Sequence, residues 1–359
     1  MITSEYINKI ICGNSIEVMK EMAEESVDMI FADPPYFMQT EGELLRADGS
    51  KFNGVTDNWD KFSGYNEYDN FCFDWLKECK RILKKDGSIW VIGSFQNIYR
   101  IGYIMQNMGF WILNDVIWSK LNAAPNFAGT RFQNSHETLL WCTKDKKSKY
   151  TFNYKTMKYL NNDKQQKSVW DIGLCIGNER LKDSNGTKIH STQKPSKLLY
   201  NVIISSTKPG DIVFDPFFGT GTTGAVAKLT GRNFIGIEMD KEYIKSAQDR
   251  IDKIVPKLDD VTNMEYEVKP PKVPMETLIK SNLLKEGQKL YNKDKTKVVE
   301  ILNNGHVTDN EDILSIHKMS AKQLGKDNNN GWNYFWVESD NNFVELDSLR
   351  YKYKEQIKV

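Results

Sequence analysis

The apolar positions of this chain fall into short blocks, with no single long run. Lys9–Cys12, Val27–Ala32, Ser88–Gly93, Ile212–Asp215 and Asn233–Glu238 are rich in Ile, Val and Phe and bounded by turn residues. Short runs that are apolar on both faces suit strands buried on both sides of a parallel sheet. Between them the spacing changes to the helical period. Phe71, Trp75, Cys79 and Ile82 share one face of a helix expected over Tyr68–Leu83. Further helices are expected over Gly221–Thr230 and Lys241–Ile254. Strands alternating with helices predict a doubly wound α/β sheet. Leu113–Trp118 and Glu137–Cys142 are expected to add an antiparallel pair at its edge.

The alternation lapses over residues 121–191, which are polar, basic and rich in Asn, Gly and Lys. This stretch reads as an insertion carrying recognition loops within a catalytic domain of residues 1–268. A stiff Pro-rich linker is expected over 269–275, from Lys269-Pro270-Pro271-Lys272-Val273-Pro274. Residues 276–359 form a small separate module ending in short aromatic strands over Tyr334–Val337 and Asn342–Leu346.

Composition adds a few constraints. A formal net charge of +1 gives no sign of a polyanionic partner, but Lys120–Lys197 carries 15 Lys/Arg against 6 Asp/Glu. That excess forms either a basic face or a solvated loop region. The five cysteines are scattered without CxxC spacing, and the four histidines are dispersed. They imply a reducing compartment, no disulfide framework and no metal site. With no basic-then-apolar leader at Met1–Glu5 and no apolar run of about 20 residues, the expectation is a cytoplasmic protein without membrane contact.

Two motifs carry chemistry. Asp33-Pro34-Pro35-Tyr36 directly follows the apolar run Val27–Ala32, at the strand end where α/β sheets place ligands. Prolines fix the backbone and remove N–H donors, leaving carbonyls to accept. An exocyclic base amine is a poor nucleophile because its lone pair is delocalised into the ring. A carboxylate and a carbonyl that accept its two hydrogens favour a pyramidal nitrogen whose lone pair faces a methyl donor. Asp33 and the Pro34 carbonyl suit that task, and Tyr36 offers a face for stacking an extruded base. The bland alternative is a strand-ending turn with a surface Tyr. The second motif, Asp215-Pro216-Phe217-Phe218-Gly219-Thr220-Gly221-Thr222-Thr223-Gly224, follows the run Ile212–Asp215. Its glycines permit a tight turn and close approach to a ligand, and Glu238 at the next strand end is placed for ribose hydroxyls. Gly219-x-Gly221-x-x-Gly224 also matches the dinucleotide fingerprint, so alone it suits a nicotinamide oxidoreductase almost as well. Asp215 and Phe217 at the turn favour a zwitterionic methionine moiety and an adenine over a pyrophosphate, and only that reading also explains Asp33–Tyr36.

With these residues the chain resembles the DNA amino-methyltransferases, whose catalytic motif reads D/N/S-P-P-Y/F/W and whose cofactor motif reads D-x-F-x-G-x-G. Asp in the first position is typical of adenine-N6 enzymes, and Ser is commoner in cytosine-N4 enzymes. The catalytic motif precedes the recognition region and the cofactor motif, the order of the family's β group. The resemblance therefore implies a seven-stranded, permuted, Rossmann-like S-adenosylmethionine-dependent methyltransferase sheet with a small C-terminal DNA-binding module. It extends over essentially the whole chain, through Ser88–Gly93, His190-Ser191-Thr192-Gln193-Lys194-Pro195 and the Asn-Gly-Trp segment, and is closest to the GANTC-specific HinfI/CcrM type.

By this resemblance, Asp33, Pro34, Pro35 and Tyr36 bind the target adenine. Asp215, Phe217, Gly219, Thr220, Gly221, Thr222 and Glu238 hold S-adenosylmethionine, with Thr192 and Lys194 as an additional cofactor motif. One departure is visible: Gly13-Asn14 stands where the family often has Gly-Asp. The expected function is N6 methylation of adenine in double-stranded DNA, within GANTC, by base flipping and direct transfer, in a type II restriction-modification system. The alternatives are a cytosine-N4 enzyme, a solitary regulatory adenine methyltransferase and a non-catalytic DNA-binding module. A homodimer and a cognate endonuclease are the implied partners beyond DNA.

DNA affinity is expected from Lys/Arg on phosphates and specificity from a few base contacts. Arg46, in the long polar segment after Tyr36, and Lys120, Asn122, Asn126, Arg131 and Asn134 are candidates, Arg suiting guanine and Asn suiting adenine. In the C-terminal module the candidates are Lys318, Asn330 and Trp332. An indole beside an amide-rich turn either stacks on a base or packs as core.

Overall fold

The computed structural model describes residues 3–37, 44–45, 51–52, 62–126, 129–183, 185–267, 271–339 and 342–357. The chain divides into two compact units, Met1–Glu267 and Val268–Val359. In the first, strands and helices alternate: β1 (Lys9–Cys12), α1 (Ser15–Glu21), β2 (Val27–Ala32), α2 (Tyr65–Ile82), β5 (Leu83–Gly93) and α3 (Ile98–Asn107). The strands β3 (Leu44–Leu45) and β4 (Lys51–Phe52), between β2 and α2, form an antiparallel ladder of their own. Then follow β6 (Trp111–Lys120), β7 (His136–Thr143), α4 (Tyr154–Leu160), β8 (Val169–Ile172), α5 (Ser196–Ser206), β9 (Ile212–Asp215), α6 (Thr222–Leu229), β10 (Asn233–Glu238) and α7 (Lys241–Asp252).

Eight of these strands make one mixed sheet, in the order β1-β10-β9-β2-β5-β7-β6-β8. The five expected strands are all present and run parallel to one another. Their apolar runs reflect burial on both faces: five of six residues in β2 are buried, one cluster packing towards α1, α2 and α3 and the other towards α5, α6 and α7. On α2 the buried stripe is Tyr68, Cys72, Trp75, Leu76, Cys79 and Ile82, the helical period anticipated from the sequence.

Two expectations are corrected here. The resemblance implied seven strands, and eight are present because β8 pairs in parallel with β6 and buries Trp170 and Ile172 against the sheet. Residues 121–191 are thus more than recognition loops. They supply β8 and also β7, which lies between β5 and β6 and not at an edge. Leu139, Leu140, Trp141 and Cys142 of β7 are buried. β7 was expected as a strand, but the polar residues around the short β8 masked its apolar period.

The order of the sheet positions the chemistry. From β2 the chain moves to β5 on one side, and from β9 it moves to β10 on the other. The adjacent pair β2 and β9, with Ile30 opposite Phe214, is therefore a topological switch point, where the strand C-termini leave a crevice. Asp33 follows β2 and Asp215 ends β9.

The second unit has a six-stranded antiparallel sheet, β14-β13-β12-β11-β15-β16. Its strands are β11 (Lys289–Asn292), β12 (Val298–Ile301), β13 (Val307–Thr308), β14 (Ile313–Leu314), β15 (Phe335–Ser339) and β16 (Asn342–Glu345). Four helices accompany it: α8 (Met275–Lys280), α9 (Ile316–Leu324), α10 (Gly331–Tyr334) and α11 (Ser348–Gln356). Val273 and Met275 belong to its core, so the end of the expected linker is packed structure. All five cysteines are free thiols. Among the described residues no helix is long and apolar enough to cross a membrane.

Candidate active site

A cleft of about 720 Å³ opens at the switch point, and both sequence motifs line it. That volume is typical of a small-molecule site. On the β2 side the Pro35 carbonyl accepts from the Tyr68 hydroxyl at 2.8 Å, and Asn97 donates to that hydroxyl at 3.1 Å. The proline segment is thus anchored to α2. Among the described residues no donor reaches the Pro34 carbonyl. Phe37 turns the chain away with a φ of 52°, a costly left-handed conformation for a bulky residue, of the kind concentrated at functional sites. Its ring is held by Phe62, Tyr65 and Tyr68.

Asp33 is paired with Lys194, Nζ to Oδ2 at 2.6 Å, in a largely buried setting. Burial raises the Asp33 carboxyl above the usual aspartate range even though Lys194 opposes the shift. For Lys194 desolvation acts downward, but Asp33 and Glu137 together outweigh it and keep the ammonium charged. The Tyr36 hydroxyl donates to Glu137 Oε2 at 3.0 Å, and its ring lies 5.3 Å from the Lys194 ammonium. Burial, reinforced by the nearby carboxylates, holds the Tyr36 phenol protonated.

On the β9 side Asp215 is buried. Its Oδ1 accepts the Phe217 N–H at 2.9 Å and its Oδ2 the Thr223 hydroxyl at 2.6 Å. Burial nevertheless pushes its carboxyl up to about 7. Glu238 binds three backbone N–H groups, of Gly219 at 2.7 Å, Met239 at 2.8 Å and Asp240 at 2.9 Å. It clamps the glycine turn to the end of β10, and its two oxygens keep acceptor capacity for a ligand. Gly219 and Gly221 have φ of 52° and 73°, which explains glycine at both. Gly224 and Gly236 have another cause: a Cβ would come within 2.6 Å and 2.3 Å of the Phe218 ring, which wedges between α6 and β10. Phe217 packs edge-on to Trp75 at 5.4 Å. Thr220 is buried, and Thr222 is engaged within the fold, donating to the Lys194 carbonyl and accepting from Arg250.

Thr192 turns back on His190, its N–H donating to Nδ1 at 3.1 Å. His190 is driven down to about 4 by burial and then by Lys194 and Arg180, so it lines the cleft as a neutral imidazole, 4.7 Å from the Tyr243 ring. His190, Tyr243, Tyr68, Phe62 and Glu137 are site residues that sequence reasoning did not assign. His190 adjoined a quoted motif; the others carry no local signal. Asn14 proves to be the cap of α1, accepting from the N–H groups of Ile16 and Glu17. An amide performs this as well as the family's carboxylate.

A family model for N6 and N4 DNA methylases, described as DNA methylase, matches residues 27–249. The chain belongs to the N6/N4 DNA methylase family. It is 62% identical to the type II methyltransferase M.HinfI of Haemophilus influenzae over 353 residues, 98% of either chain. It is 42% identical to the type II methyltransferase M2.DpnII of Streptococcus pneumoniae over 257 residues, 70% of this chain and 94% of that one. Among solved structures, M1.HpyAVI in complex with SAM matches 70% of this methylase and 99% of that chain, with 28% identity and a TM-score of 0.50. The cytosine-N4-specific PvuII methyltransferase matches 73% of this methylase and 93% of that chain at 22% identity and a TM-score of 0.53, a likeness of fold alone. The large mixed sheet with its flanking helices is thus a DNA methyltransferase fold, and the oxidoreductase alternative falls.

The DNA candidates fare unevenly in this methylase. Arg46 lies outside the described residues. The Lys120 ammonium pairs with Glu137 Oε1 at 2.7 Å in a largely buried setting. Asn122 accepts the Leu174 N–H at 2.7 Å and Asn126 the Thr130 N–H at 3.4 Å, so both satisfy loop backbone. Arg131 and Asn134 are exposed, with the Arg131 guanidinium over Phe95. Because Gly93 of β5 pairs with Thr138 of β7, the loop 121–135 leaves the sheet at the same end as the cleft. In the second unit Lys318 is exposed, and Asn330 caps α10 through the Trp332 N–H. Trp332 is buried in that unit's core, with the Arg350 guanidinium over its ring.

Proposed function

We propose that this methylase transfers a methyl group to the N6 amine of an adenine flipped out of double-stranded DNA, within GANTC, as the modification enzyme of a type II restriction-modification system. The carrying observation is the shared cleft: Asp33 and Tyr36 occupy one side and Asp215 and Glu238 the other. The residues fit S-adenosylmethionine. Asp215 offers a buried carboxylate for a cationic amine, Glu238 acceptor capacity for ribose hydroxyls, and Phe217 an aromatic surface. When bound, that cofactor supplies an electrophilic methyl group on a sulfonium.

The chain's own residues do the rest. Lys194 occupies Asp33 Oδ2 and orients the carboxylate, leaving Oδ1 to accept one amine hydrogen. The Pro34 carbonyl accepts the other. Both acceptors are held before the base arrives, so no reorganisation is needed in the transition state. Tyr36, locked by Glu137, presents its ring for stacking. Arg131 and Asn134 on the exposed loop supply phosphate and base contacts. A homodimer and a cognate endonuclease complete the reading.

The test is methyl transfer from labelled S-adenosylmethionine to a GANTC duplex and to a scrambled one, followed by nucleoside analysis. N6-methyladenine in the first alone supports the proposal. N4-methylcytosine overturns the base assignment, and equal labelling of both duplexes overturns the site.

A further inference from the structure

Glu137 was assigned no role by either motif, yet it stands at the centre of the charged network. It is the second residue of β7, directly opposite Trp118 on β6. One carboxylate oxygen accepts the Tyr36 hydroxyl at 3.0 Å, and the other the Lys120 ammonium at 2.7 Å. Both side chains of the ion pair are nearly buried, 10% and 12% exposed. Lys120 is the last residue of β6, and its N–H donates to the Ser135 carbonyl, closing the root of the loop 121–135. Desolvation opposes the Glu137 carboxylate, but Lys194 and Lys120 outweigh it and keep the group ionised. Buried ion pairs are poor sources of stability and are best attested where they fix one arrangement among several.

We infer that Glu137 is a positioning residue that fixes the Tyr36 ring and, through Lys120, ties it to the root of the exposed loop carrying Arg131 and Asn134. The inference rests on the proposed capture of a flipped base by Tyr36. A loop seated on the correct duplex then holds its root, Lys120 and the Tyr36 hydroxyl in register. A displaced loop loosens the surface on which the base must stack. A misplacement of about 1 Å far from the chemistry can cost about 100-fold in rate, so a single buried carboxylate is enough to couple sequence reading to turnover.

The experiment uses the full chain and four proteins: wild type, Glu137→Gln, Tyr36→Phe and the double variant. Three quantities are read: S-adenosylmethionine affinity, single-turnover methylation at saturating DNA, and fluorescence of 2-aminopurine at the target position. Glu137→Gln is expected to slow methylation roughly 10- to 100-fold, with cofactor affinity within about twofold and an altered 2-aminopurine signal. Glu137 also faces Lys194, so the two effects should combine less than multiplicatively, by the part that passes through the Tyr36 hydroxyl. Wild-type rates in Glu137→Gln, or effects that multiply in the double variant, would overturn the inference. If Glu137→Gln does not fold, Lys120→Met paired with Tyr36→Phe carries the same cycle, with the same two outcomes. Wild-type product analysis separates the two readings. N4-methylcytosine sinks the adenine assignment, while the Tyr36–Glu137 coupling is still scored on that base.

Discussion

The Lys194 ammonium and the Asp33 carboxylate meet at 2.6 Å across 161 residues of sequence, joining the segment before α5 to the end of β2. Lys194 lowers the Asp33 carboxyl against the upward push of burial. In Lys194→Met that opposition is gone and the Asp33 carboxyl rises further. In its proposed role Asp33 accepts the amine hydrogen as a carboxylate, so the acid limb of the kcat profile should move to higher pH. A loss of about tenfold or more at neutral pH is expected. Rates measured from pH 5 to 9 check it; an unmoved acid limb with reduced kcat would assign Lys194 to cofactor binding alone.

Asp215, held near 7, should couple cofactor binding to protons. A cationic amine beside the carboxylate favours its ionised form, so binding below about pH 7 releases a proton and affinity rises with pH. Titration calorimetry in buffers of different ionisation enthalpy measures that release, and Asp215→Asn should abolish it. The sign for stability is opposite. The folded carboxyl is raised above its ordinary 3.8, so the folded state binds more protons between about pH 4 and 7. Stability of the ligand-free protein from this group falls as pH rises through that window, by an order-of-magnitude 4 kcal/mol at full ionisation. A ligand-free melting temperature that climbs across this window in wild type relative to Asp215→Asn would contradict it.

Phe218 fills the space left by Gly224 and Gly236. Gly236→Ala drives a methyl into the ring and should cost about 1–3 kcal/mol by overpacking. Adding Phe218→Leu should recover part of the loss. Thermal melts of the single and double variants decide this, and strictly additive losses would mean that the two positions do not share the contact.

Arg131→Ala should weaken binding to specific and scrambled duplexes alike and reduce the salt slope by roughly 1, as for one lost phosphate contact. Trp332→Phe, in contrast, should leave DNA affinity intact and lower the stability of the second unit. DNA binding lost from a well-folded Trp332→Phe protein would mark the indole as a base contact.

How much of this was legible depended on the kind of signal. The five parallel strands were read directly because strands buried on both faces must be apolar throughout, as in Val27–Ala32. The two motifs were legible because prolines and glycines mark unusual backbone. β8 was missed because only two of its four residues are buried. Glu137 was invisible as a site residue: one glutamate in a strand carries no pattern, and its meaning comes from Tyr36, 101 residues away. Lys120 and Trp332 show the opposite limit: a lysine beside polar loops and an indole beside an amide turn carry no local sign of how deeply they pack.

The switch point between β2 and β9 also divides the enzyme along its own sequence. Asp33–Tyr36 precede the loop 121–135, and Asp215, Glu238 and the partners Glu137 and Lys194 follow it. A chain cut in that loop would yield two halves, neither able to assemble the cleft alone. The antiparallel seam of β6 with β7 and the shared sheet would be their route to reassembly. Methylation would then report the meeting of two polypeptides, making the architecture a natural frame for a split enzyme.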